Sequence, residues 1–132
     1  MRSCGIGRIE EQSLLSTVYN PDDQYRDRHK WLKTDKGYSF YAFASERRDK
    51  IIQPYLITAH KGEVKQYGFS HDDEEFIYMI NDQMHYKVGS TDFLLQPGDA
   101  LYFNSLEDHI LSPVTEEVTY LAVFSQKSYE SD

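Results

Sequence analysis

From Gly37 onward the chain is a succession of short alternating runs rich in aromatic and β-branched residues, each closed by a turn signal. This pattern constrains the fold more than any other feature, because a period of two turns one face of a run toward a core and the other toward water. The runs span 38–44, 54–59, 76–80, 84–88, 93–95, 100–103, 109–111 and 118–124. Between them stand Lys61-Gly62, Asn81-Asp82-Gln83, Val88-Gly89-Ser90-Thr91 and Gln96-Pro97-Gly98-Asp99. The last is a type II turn signal, with Pro97 fixing φ at the first corner and Gly98 supplying positive φ at the second. Many short strands with glycine-marked turns, and no sustained helical period, predict an all-β sandwich or barrel.

The 132 residues are enough for one domain with its own core. Residues 1–35 are polar and weakly periodic and read as an N-terminal arm, with 36–132 as the single barrel domain. Within the arm, Pro21 and the following acids suit a helix start, and Tyr25, Arg28, Trp31 and Leu32 would share a face of a short helix over 24–32. Trp31 is expected to pack on the main body. Fourteen basic residues against 22 acidic ones give a net charge of −8, a field that repels phosphate backbones and argues against direct nucleic-acid binding. Cys4 is the sole cysteine and permits no internal disulfide. The opening MRSCGIGRIE lacks the apolar run of a signal peptide, and no later stretch is long and apolar enough to span a bilayer, so a cytoplasmic location without membrane contact is expected.

Chemistry concentrates at His71, Glu75 and His109. Two imidazoles and a carboxylate can hold one face of a divalent metal and leave positions open for a substrate or oxygen. On a straight strand His71 and Glu75 would lie about 13 Å apart, too far to share an ion with bonds of about 2 Å. A bend at Asp72-Asp73-Glu74 would bring them together, with Ile77 and Met79 facing inward beside Glu75 and with Met84, Tyr86 and Val88 on the paired strand. The same acidic stretch is equally the composition of a solvated loop. His29, His60 and His85 have no such company and read as surface residues.

The stretch from Tyr55 to Ser125 resembles the cupin barrel, specifically the second-type cupin domain that follows helix-turn-helix domains in bacterial regulators. His71 and Glu75 within HDDEEFIYMIND match parts of the first cupin motif, and PGDALYFNSLEDHILSP, containing His109, matches the second. Three positions depart from the family pattern: Phe69 stands where its first histidine would be, Asp82 replaces the glycine closing the first motif, and Pro113 stands in place of an asparagine. The resemblance implies a double-stranded β-helix, or jelly-roll barrel, with an open three-ligand site for Fe, Mn, Ni or Zn. It implies pocket walls drawn from Tyr55, Ile57, Ile77, Met79, Tyr86, Tyr102 and Phe103, side chains that core packing would also account for.

Three functions follow as expectations. The first is a sensor-like barrel that binds a small molecule over the metal, without the DNA-reading half of its regulator relatives. The second is a metal-dependent enzyme, such as a non-haem Fe(II) oxygenase or epoxidase, with Tyr86 or Tyr102 positioning substrate. The third is a metal-free binding barrel. A phosphonate substrate is disfavoured because no Lys or Arg clearly points into the barrel. A homodimer is expected, with the aromatic run 38–43 as a candidate pairing edge.

Overall fold

The computed structural model describes residues 17–23, 31–64, 73–104 and 106–125. Among them the alternating runs all become strands and no helix forms. The strands are β1 (Leu32–Lys33), β2 (Tyr38–Ala42), β3 (Ile52–His60), β4 (Glu74–Asn81), β5 (Met84–Val88), β6 (Thr91–Leu95), β7 (Ala100–Asn104), β8 (His109–Pro113) and β9 (Glu117–Ser125). All pairings are antiparallel. One sheet has the order β1-β2-β3-β9-β4-β7 and the other β6-β5-β8.

The turns take the conformations their residues favour. Gly98 has φ of 90°, and the Asp99 N–H closes the turn on the Gln96 carbonyl at 2.9 Å. Asp82, standing where the cupin motif has glycine, does adopt positive φ, at 66°. A short polar side chain tolerates that region better than a branched one. Gly89 opens the β5–β6 hairpin at φ of 60°, the first corner of a II′-type turn. Beyond β2, Ala44 turns at φ of 55°, and the Lys50 ammonium bonds to the carbonyls of Ala44 and Arg47.

The core lies between the inner faces of the two sheets. Ile57 and Ala59 on β3, Ile77 and Met79 on β4, and Val118, Tyr120 and Ala122 on β9 meet Met84, Tyr86 and Val88 on β5 and Leu95 on β6. Alternation therefore predicts the inward faces of β4 and β5 correctly, and His85 and Lys87 point out to solvent between their buried neighbours. Of the three buried polar residues among those described, Gln53 donates its amide to the carbonyls of Phe43 and Pro54. The other two are Glu75 and His109.

Three expectations need correction. The helix over 24–32 falls largely outside the described residues, and its last residue, Leu32, is in strand β1, paired with Phe40. The run 38–43 is not a free edge, because β1 pairs with Ser39 and Phe40 on the side away from β3. Glu74 does not lie in a turn; it begins β4, opposite Asn104. Trp31, by contrast, packs on the body as expected, its ring 6.1 Å from that of Tyr41.

Two glycines separate conformational strain from close approach. Both Gly37 (φ 93°) and Gly98 (φ 90°) occupy the left-handed region, but a side chain at Gly98 would meet nothing, whereas one at Gly37 would overlap the main chain of Glu63 and Val64. Gly98→Ala should cost only the backbone term, about 1–2 kcal/mol. Gly37→Ala should cost roughly 3–5 kcal/mol, because displacement of packed main chain is added. Chemical denaturation would read the difference; equal losses would mean that the approach at Gly37 is not tight.

Candidate metal and ligand site

Glu75 enters the interior from β4 in the larger sheet, and His109 enters from β8 in the smaller one. Neither position is exceptional for its strand: Glu75 shares the inward parity of Ile77 and Met79, and His109 pairs with inward-facing Val88. The sheets thus bring a carboxylate and an imidazole together that are distant in sequence. They are 4% and 5% exposed, and His109 Nε2 lies 3.6 Å from Glu75 Oε1.

The surroundings fix both groups. His109 Nδ1 lies 3.0 Å from the Glu107 carbonyl oxygen. A carbonyl only accepts, so Nδ1 carries a proton and donates it, and in the neutral ring Nε2 then presents its lone pair to Glu75. The imidazole is stacked on Tyr86 at 6.2 Å with 8° between the planes, and Phe103 meets it at 5.1 Å. The Tyr86 hydroxyl donates to Glu75 Oε2 at 3.3 Å, so the phenol takes one carboxylate oxygen while the other faces the histidine.

Two facing lone pairs in a buried setting repel unless something positive lies between them. A proton on Nε2 would serve, and so would a divalent cation. Two donor atoms each about 2.1 Å from one ion lie roughly 3.0–3.6 Å apart for bond angles between 90° and 120°, so the separation of 3.6 Å accommodates either. Among the described residues no group of three His, Cys, Asp or Glu side chains could hold a metal. His71, the third ligand expected from the sequence, lies outside the described residues, as does Asp72 of the expected bend.

Of the expected wall residues, Ile57, Ile77, Met79, Tyr86 and Phe103 are buried in the core between the sheets, and Tyr55 packs against it. Tyr102 does not belong with them. It is 65% exposed, pairs with Phe76 on the outer face and gives its hydroxyl to Glu74. Adjacent strand residues face opposite ways, so Tyr102 and Phe103 cannot both point inward.

Alternation in β2 and β9 also marks two rings that the expected walls omit. Phe40 pairs with inward Ile57, and Phe124 pairs with Glu75 itself. Together they complete a row of rings across the larger sheet: Phe40 to Tyr55 at 5.4 Å and Tyr55 to Phe124 at 5.7 Å, both edge-to-face. Glu75 stands next, flanked by Phe124 on β9 and Phe103 on β7.

Burial raises the phenol of Tyr86 well above its ordinary value, with the Glu75 charge adding to the effect; burial, then Glu75 and Tyr38, do the same for Tyr120. Both raised shifts favour the protonated native state. Their contribution is complete below the ordinary value of 10.0 and is lost as pH rises above it. Ultraviolet titration should show exposed tyrosines ionising first, with these two ionising only as the β signal in circular dichroism is lost. Tyr120→Phe should move the alkaline unfolding midpoint upward; an unchanged midpoint would mean that Tyr120 does not set it.

No family model matches the sequence, and no curated protein does. Solved structures do match. An RmlC-like cupin from Shewanella frigidimarina aligns with a TM-score of 0.64 at 16% identity, over 78% of this chain and 88% of that one. An HTH_3 family transcriptional regulator from Vibrio cholerae gives 0.61 at 18% identity, over 71% of this chain and 53% of that one. The hydroxypropylphosphonic acid epoxidase from S. wedmorenis gives 0.66 at 18% identity, over 82% of this chain and 58% of that one. The chain thus spans little more than half the length of the regulator and the epoxidase. These likenesses show the fold, a cupin-type jelly roll.

Proposed function

We propose that this cupin-type barrel holds one divalent metal through Glu75 and His109, with His71 as the third ligand, and binds a small molecule over it in the manner of a sensor. The observation that carries the proposal is the buried approach of Glu75 Oε1 to His109 Nε2 at 3.6 Å, with Nδ1 committed to a main-chain carbonyl. Carbonyl-anchored imidazoles and hydrogen-bonded carboxylates are the usual arrangement around metal ligands, because the outer partner fixes tautomer and orientation. A further solved structure of the same fold, that of a protein designated HppE in its Fe(II) form, supports a divalent metal here without naming it. When bound, the ion would supply Lewis acidity and open coordination positions.

The chain's own residues would do the rest. Tyr86 holds Glu75 through Oε2 and leaves Oε1 directed at His109. Phe103 and Tyr86 restrict rotation of the imidazole. The buried aliphatic side chains of Ile57, Ile77 and Met79 keep water from the groups behind the site. A homodimer remains part of the proposal, with β1 rather than β2 as the outermost strand on that side of the larger sheet.

A metal-free barrel is the competing reading. The separation of 3.6 Å between Glu75 and His109 accommodates it equally. In it His109 is protonated and forms a buried ion pair with Glu75. Equilibrium dialysis against Fe(II), Mn(II), Ni(II) or Zn(II), followed by elemental analysis, separates the two. Wild type should retain about one ion per chain, while Glu75→Gln and His109→Ala should each lose at least tenfold in affinity, and Tyr86→Phe about 10- to 100-fold as an outer partner. Retention of no metal by wild type would establish the metal-free reading, and equal retention by all four proteins would place the ion away from Glu75 and His109 and overturn the proposal. If iron is retained, oxygen uptake with candidate substrates distinguishes an enzyme from a sensor.

A further inference from the structure

The aromatic row on the larger sheet bears on what the site takes, and the inference rests on the metal-holding reading above. Phe40, Tyr55 and Phe124 are partly buried and pack against the core rather than within it. They join edge to face, at 5.4 and 5.7 Å, and the row ends at Glu75 through the Phe124 pairing. Partly covered rings next to the one buried carboxylate among the described residues offer an apolar wall of alternating ring edges and faces to a molecule whose head reaches Glu75 and His109.

Charge points the same way. Among the described residues, no Lys or Arg occupies an inward strand position. Lys33 and Lys87 are exposed on their strands, Lys36 is half-buried in the β1–β2 turn, Lys50 bonds to main-chain carbonyls in the β2–β3 loop, and Arg47, Arg48 and Lys61 are exposed in turns. Among the described residues, a phosphate or phosphonate dianion would therefore find aromatic walls in place of the cationic donors that such groups recruit.

We infer that the ligand is a neutral or singly charged chelator with an aromatic body, seated along Phe40, Tyr55 and Phe124 with its oxygen or nitrogen donors toward Glu75 and His109. Phosphates and phosphonates are the class that these described walls suit less. Aromatic rings reward such a body through offset or edge-to-face contact, and apolar walls with a few convergent polar groups are what small-molecule sites are made of.

Two hydroxamates that share a chelating head test this directly. Protein loaded with Co(II) is titrated with benzohydroxamate and with acetohydroxamate, following the visible spectrum of the ion, and then with methylphosphonate. Benzohydroxamate should bind at least tenfold more tightly than acetohydroxamate, and methylphosphonate more weakly than either. In Phe40→Leu and Tyr55→Leu, which retain apolar volume, the gap between the hydroxamates should fall to about threefold or less while cobalt content is unchanged. Equal affinity for the two hydroxamates in wild type, or tighter binding of methylphosphonate, would overturn the inference without touching the metal site, and these readings need no variant to fold. An unchanged gap in both variants would also overturn it. Failure of the wild type to take up cobalt would remove the metal reading and this inference with it.

Discussion

The approach of Glu75 to His109 is the interaction around which the rest of the interior is arranged. At 3.6 Å and an effective dielectric near 20, opposite unit charges attract by about 4–5 kcal/mol. Removing both from water costs several kcal/mol each. Attraction alone therefore does not make this pair a stabilising device, and apolar side chains of similar volume would serve the core as well. A carboxylate and an imidazole in this position, each held by its own outer hydrogen bond, suit the metal-holding role proposed above.

The fold delivers the pair through register. Glu75 is the second residue of β4, and its inward direction follows from the strand's alternation. His109 is the first residue of β8, held opposite Val88 across the smaller sheet. The main chain just before His109 is tied to the β5–β6 hairpin by the Gly89 N–H, which donates to the Asp108 carbonyl at 2.8 Å. The Glu107 carbonyl that orients the imidazole belongs to this anchored segment. Backbone pairing thus aims the donors, and Tyr86, Phe103 and Phe124 supply the rings around them.

Much of this was legible in the sequence because it is local. The period of two located the strands and gave inward faces to Ile77, Met79, Met84, Tyr86 and Val88. The Pro97-Gly98 and Asp82 turns follow from φ requirements that these residues meet. Placing Tyr102 in the pocket beside Phe103 failed because it overrode the same period. Phe40 and Phe124 were missed for a different reason. Their inward direction could be read from alternation, but the row that runs from Phe40 through Tyr55 to Phe124, beside Glu75, comes from pairing among β2, β3, β9 and β4, strands far apart along the chain. The end of the arm was misread because Leu32, weakly helical in pattern, gains more from pairing with Phe40 at the sheet edge. No local propensity encodes that choice.

The central claim is that Glu75 and His109 serve one ion rather than one proton. Anomalous diffraction at the zinc edge, from crystals grown with zinc, tests it most directly. The expected result is a strong peak about 2 Å from both Glu75 Oε1 and His109 Nε2, with the imidazole still bonded to the Glu107 carbonyl. Anomalous peaks found only at surface residues such as His85, with Glu75 and His109 in direct contact and no density between them, would contradict it.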